Sequence, residues 1–180
     1  VQYTNLFRAN KIFAENPDID IPTMKDETFR FACQYGKLEL AKWIYSTKPN
    51  IDISADEEDI ACTVCENGRF DIIRWLVAIK PDINLSAKRD HMFRHACECG
   101  HLDLAKWLLE TSPEIYISSE DEYALRMAAK NGHMDVVKWI HATKPDVELS
   151  TNGDVILRDA CRAGNMDLVQ WIFQTKPHMV

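Results

Sequence analysis

The chain has 180 residues, of which 21 are Lys or Arg and 28 are Asp or Glu, giving a formal net charge of −7. That balance argues against a general nucleic-acid binder, whose affinity comes from a positive field that displaces counterions from phosphates. No apolar run approaches the roughly 18 residues that a membrane-spanning helix needs, so no membrane partner is expected either.

In chain order, residues 1–21 come first and match only the second half of a later unit. Leu6, Ile12, Phe13, Pro17, Ile19 and Ile21 align with Leu38, Ile44, Tyr45, Pro49, Ile51 and Ile53. Lys11 stands where later segments carry tryptophan and Arg8 stands opposite Leu40, so this half-repeat is expected to be an N-terminal cap with a polar outer face. Five full units then run 22–53, 54–85, 86–117, 118–149 and 150–180. Trp43, Trp75, Trp107, Trp139 and Trp171 hold a spacing of 32 residues, and Gly36, Gly68, Gly100, Gly132 and Gly164 hold the same one. A period of that length marks a repeat array, in which units touch only their neighbours and make one continuous domain. At the far end Met166, Trp171, Ile172 and Phe173 keep the internal pattern, and either the native protein is expected to continue past Val180 or that end is expected to pack on something.

Each unit reads as helix, turn, helix, connector. In unit three Met92, Phe93, Ala96 and Cys97 fall at helical spacing, and Gly100 stands where a left-handed residue ends a helix. Leu102, Leu104, Ala105, Trp107 and Leu108 then make a second apolar face, with Asp103 in its opening turn and Pro113 closing the segment. Short alternating pieces such as Ile83 to Leu85 read as extended connectors. Ser or Thr heads each first helix (Thr23, Ser54, Ser86, Ser118, Ser150) and is expected to cap it, with Ser54 and Glu57 matching a capping box. Acids at Asp26, Asp90, Glu122 and Asp154 precede Arg30, Arg94, Arg126 and Arg158 by four residues, the favoured helical ion-pair spacing. The second helices carry Glu39 before Lys42, Asp71 before Arg74, Asp103 before Lys106 and Asp135 before Lys138, again as a solvated charged face.

The tryptophan phase is expected to be structural core between consecutive units, and Trp107→Ala is expected to cost roughly 3 to 5 kcal/mol. Cys33, Cys65, Cys97 and Cys161 share one phase with Ala129, which marks a small buried position and free thiols in a reducing compartment.

Ala96-Cys97-x-x-Gly100-His101-Leu102-Asp103 and Ala128-Ala129-x-x-Gly132-His133-Met134-Asp135, with Asp82-Ile83-Asn84 closing unit two, resemble the core and ending of the ankyrin repeat. The resemblance covers residues 22–180. It implies an all-α fold, an ankyrin-like α-solenoid of stacked helix-turn-helix repeats, here with short extended connectors. The unit is one residue shorter than the family's, its usual Thr-Pro-Leu-His start is absent, and lysine or serine before proline replaces the glycine after the second helix. Shortened fingers in place of β-hairpins are therefore expected. Trp75 to Ser86 also resembles the ankyrin-like arrays of giant DNA viruses of amoebae, which implies a viral protein in the host-cell cytoplasm.

The resemblance further implies a scaffold for protein–protein interaction, with no cofactor and a protein partner held on a concave face. The phases that vary between units and map to that face are Met24, Lys25, Glu27 and Tyr35 in unit one, Asp56, Glu57, Asp59 and Glu66 in unit two, and Lys88, Arg89 and His91 in unit three. Glu120, Asp121, Tyr123 and Lys130 stand at these phases in unit four, and Arg162 in unit five. Acidic unit two beside basic unit three suggests a partner with a complementary charge step. His91, His95, Cys97, Cys99 and His101, joined by Cys62 and Cys65, form the one metal-like set, but Cys97 is at a buried phase and His101 belongs to the turn, so no metal is expected. Cys99 with His95 or His101 lacks an orienting group or oxyanion site, and no catalytic residues are assigned. The chain is expected to be a monomeric, non-enzymatic recognition module, with an architectural spacer as the alternative.

Overall fold

Three-residue links between paired helices recur through the computed structural model as regularly as the glycines do through the sequence. The structure describes residues 21–47, 51, 57–145 and 151–175, and the side chains of these except at 21–26, 57–59 and 151–155. The predicted N-terminal cap and the Ser54–Glu57 capping box lie outside the described side chains. Among the described residues ten helices run in order: α1 (Ile21–Gln34), α2 (Leu38–Thr47), α3 (Glu57–Glu66), α4 (Phe70–Ile79), α5 (Ala87–Glu98), α6 (Leu102–Thr111), α7 (Ser119–Lys130), α8 (Met134–Thr143), α9 (Thr151–Arg162) and α10 (Met166–Thr175). Among the described residues there is no strand. The fold is an all-α repeat solenoid.

Glycine sets each link. Gly100 has φ +78°, which only glycine adopts freely. The link closes by two backbone bonds, from Gly100 N to Cys97 O at 3.2 Å and from His101 N to Ala96 O at 2.8 Å. This Schellman arrangement satisfies carbonyls that the helix end leaves unpaired. The other links repeat it, as in Arg69 N to Val64 O at 2.9 Å and Asn165 N to Ala160 O at 3.0 Å.

Each helix pair packs face to face, and the first helices α1, α3, α5, α7 and α9 also stack on one another in succession. The core lies between the two layers. Phe29, Phe93, Leu104, Leu108, Leu125 and Ile140 are almost wholly shielded from solvent. The tryptophans are half-buried, packed against this core and not within it. Their rings still bridge successive pairs: Trp75 lies 6.2 Å from Phe29 and 5.8 Å from Tyr45, Trp107 lies 5.7 Å from Phe70, and Trp139 lies 6.2 Å from Phe93. Full burial falls to the next residue, Leu76, Leu108, Ile140 or Ile172.

The connectors are turns. Ile83 N bonds Lys80 O at 3.3 Å and Ala87 N bonds Asn84 O at 3.3 Å, while Ile83, Leu85 and Ile115 point into the core. The first helices begin differently from the expectation. Lys88, Arg89 and Asp90 have φ +51°, +56° and +62°, and Glu120, Asp121 and Glu122 have φ +54°, +55° and +61°, so each forms a left-handed turn before the right-handed helix. Such residues cost about 1–2 kcal/mol each and persist only where other contacts hold them.

Those contacts are visible and correct two predictions. Asp90 is buried, accepts the Tyr116 N–H of the following connector at 3.3 Å and takes the hydroxyl of Ser119, the first residue of α7. Arg94 donates to the carbonyls of Arg89 at 2.9 Å and Lys88 at 3.2 Å, and Arg126 donates to that of Asp121 at 3.5 Å. Asp90, Arg94 and Arg126 thus hold these left-handed turns, in place of the exposed Asp90–Arg94 pair that the spacing suggests. Ser86 and Ser118 make no capping bond. Ser86 donates to Asn84 Oδ1 at 2.9 Å, and Ser118 accepts from Lys144 Nζ at 3.0 Å. Of the second-helix pairs, Glu39 and Lys42 meet at 3.3 Å, whereas Arg74 lies over the Phe70 ring and Lys138 over that of Trp171.

None of the six cysteines is in a disulfide, and Cys33, Cys62, Cys65 and Cys97 are buried. Burial pushes the Cys33 thiol up to about 12. Cys161 departs from its phase and is exposed, because the face of α9 that carries it has no described first helix stacked beyond it.

Candidate interaction face

The first helices and the turns before them present one polar side to solvent. Glu27, Tyr35, Lys88, Arg89, Glu120, Asp121, Lys130 and Arg162 are exposed there, and Glu66, His91 and Tyr123 are half-buried. The candidates Met24, Lys25, Asp56, Glu57 and Asp59 lie outside the described side chains.

The structure draws some of these together and leaves others apart. Arg89 pairs with Glu120 across successive left-handed turns. That bond and its charge hold the Glu120 carboxyl below its usual range and raise Arg89. The expected basic character of unit three is therefore partly neutralised from within the chain. Arg162 lies 3.5 Å from Asp159 on its own helix. Tyr35 stacks at 6.1 Å on Phe31, and both rings are more than half exposed.

A tighter cluster gathers around α5. The rings of His91 and His95, one helical turn apart, stack at 4.1 Å. His95 Nδ1 lies 3.2 Å from Glu98 Oε2 and 4.0 Å from Glu66 Oε1 of α3. Tyr123 of α7 donates its hydroxyl to Glu98 Oε2 at 2.8 Å, and the Arg94 guanidinium sits 4.9 Å above the Tyr123 ring. Desolvation, then the neighbouring His95, pushes His91 below its ordinary pKa, which favours the neutral imidazole. Desolvation and the bond to Glu98 push Tyr123 up. Cys99 is likewise raised, first by desolvation and then by Glu98 and Glu66, the reverse of what activates a thiol nucleophile.

His95 belongs to this cluster although it was not among the candidates for the face, whereas Glu98 stands at a variable phase that maps there. Positions 91, 95 and 98 share one helical side, and the tenth phase (Phe31, Thr63, His95, Met127, Asp159) varies as widely as the chosen ones. That variation was the available signal. A second omission is the residue after each link glycine. His101 Nε2 lies 3.1 Å from the Glu66 carbonyl oxygen, and Arg69 donates from Nε to that of Gln34 at 3.1 Å. These side chains bind the carbonyl end of the preceding first helix.

Among the described residues no helix is long and apolar enough to cross a membrane. A search of curated proteins finds no match. Residues 93–141, from within α5 to within α8, match the family model described as ankyrin repeats (many copies).

Proposed function

We propose that the chain is a non-catalytic protein-recognition module, its partner held along the polar side of the first helices and their entry turns. Ankyrin repeats are in general protein–protein interaction modules and are typically non-catalytic. The observation that carries the reading is the contrast between two sides of one helix row. Phe93, Ala96 and Cys97 are sealed in the core, while Lys88, Glu120, Asp121 and Lys130 stand in solvent at phases that differ from unit to unit. Constant backing with varied frontage is how a repeat array acquires a specific binding face. The 32-residue spacing and the Trp75 to Ser86 phrase support placing the chain with the giant-virus arrays, as a monomer in the host cytoplasm.

Capture from cytoplasm, followed by cross-linking, tests this. A variant carrying Asp121→Lys, Tyr123→Ala and Lys130→Glu is expected to lose the partner that wild type retains. Asp103→Lys with Asp135→Lys, which alters exposed second-helix positions, is expected to keep it. Equal capture by both variants overturns the assigned face, and a wild type that captures no protein favours an architectural spacer.

A further inference from the structure

We propose that Glu66, His91 and His95 form a binding site for a divalent transition metal of the zinc class, set between α3 and α5. The proposal stands apart from the partner-binding reading, since it needs no second protein. One ligand atom from each of the three residues lies within 4.8 Å of the other two. Ligands about 2 Å from a tetrahedral zinc are roughly 3.3 Å apart, so the set closes on an ion when its side chains draw in by about 1.5 Å.

The chemistry of the donors selects the metal. Two imidazoles with one carboxylate suit zinc, cobalt or nickel, whereas magnesium and calcium require mostly oxygen. Two histidines and a glutamate also match the three-ligand zinc site that keeps a fourth position for water. The helix supplies the pair directly, because residues four apart share a face. Glu66 comes from the neighbouring unit, so a bound ion would tie successive repeats together.

An independent feature points to a missing ligand. His91 Nδ1 is sealed from solvent and has no hydrogen-bond partner, a costly condition for a ring nitrogen that a metal bond would relieve. Charge is also suited to a dication. Glu98 stands 3.2 Å from His95 Nδ1 and adds a second carboxylate at the rim, so that with Glu66 it offsets the positive Lys88 and Arg94 of α5, and the Tyr123 hydroxyl of α7 donates to Glu98. This set differs from the cysteine-rich one that the sequence suggests. Cys65 and Cys97 lie in the core, where burial keeps their thiols protonated and unavailable as ligands.

The test is titration of the chelator-stripped chain with Co2+, monitored by visible absorption, then competition with Zn2+. The expected result is one Co2+ per chain, displaced by Zn2+ and unaffected by Mg2+. His91→Gln, His95→Gln and Glu66→Gln should each weaken binding about tenfold or more, and Cys99→Ser should leave it unchanged. Zn2+ should raise the Tm of wild type but not of the His91→Gln/His95→Gln double variant, with circular dichroism confirming that the variant folds. Absence of saturable Co2+ binding, retention of it in the double variant, or its loss on Cys99→Ser overturns the proposal.

Discussion

At the scale of single residues, neighbours in sequence play unlike parts. Trp107 is half-buried and Leu108 is sealed, so the larger side chain is not the deeper one. Leu108→Ala is expected to cost about 3 to 5 kcal/mol through a cavity in the core. Trp107→Ala should cost about 2 to 3 kcal/mol, less than full burial implies, because part of its ring never leaves water. Urea unfolding of both variants checks the order, and a larger loss at Trp107 would show that the inter-repeat ring contacts dominate. Asp90 is the residue most misjudged from sequence. Asp90→Ala leaves the Tyr116 N–H and the Ser119 hydroxyl without their acceptor and should cost about 1 to 3 kcal/mol, whereas an exposed ion pair would give a few tenths. Chemical-shift changes at Tyr116 and Ser119 should accompany that loss. If they stay fixed while stability falls, the buried-acceptor account is wrong.

At the scale of elements, each turn serves two units. The glycine that ends one first helix also leaves room for the next unit's ring: a Cβ on Gly100 would come within 2.4 Å of His133, and one on Gly68 within 2.5 Å of His101. Gly100→Ala should therefore cost roughly 1 to 2 kcal/mol for its positive φ alone, and more through the crowded imidazole. Adding His133→Ala should recover the second part only, a non-additivity that a double-mutant cycle measures. Strict additivity would mean that the two units do not meet there. The left-handed entry turns are the other shared device. Their carbonyls are held by Arg94 and Arg126 from within the same helix, and Asp90 reaches Tyr116 of the following connector and Ser119 at the head of α7. Arg89 and Glu120 join successive turns on the outside, where salt should screen the bond.

At the scale of the whole molecule, ten described helices form two layers, and the proposed partner face and the proposed metal site both lie along the first. The sequence by itself determined the repeat, the helix pairs, the link glycines and the apolar faces, because these arise from periodicity and from backbone preferences within a few residues. Much of the candidate face was legible for the same reason, since comparing units separates constant phases from free ones. What only the tertiary structure decided are the left-handed turns, the burial of Asp90, the exposure of Cys161, and which charged and imidazole groups meet. Asp90 and Tyr116 are 26 residues apart, Arg89 and Glu120 are 31, and His101 reaches a carbonyl 35 residues back. Such contacts depend on how one unit is seated on the next. A left-handed stretch of non-glycine residues is disfavoured locally, so a local reading extends the helix through it. The packed neighbours override that preference, placing His91 at the start of the right-handed helix and its ring beside Glu66.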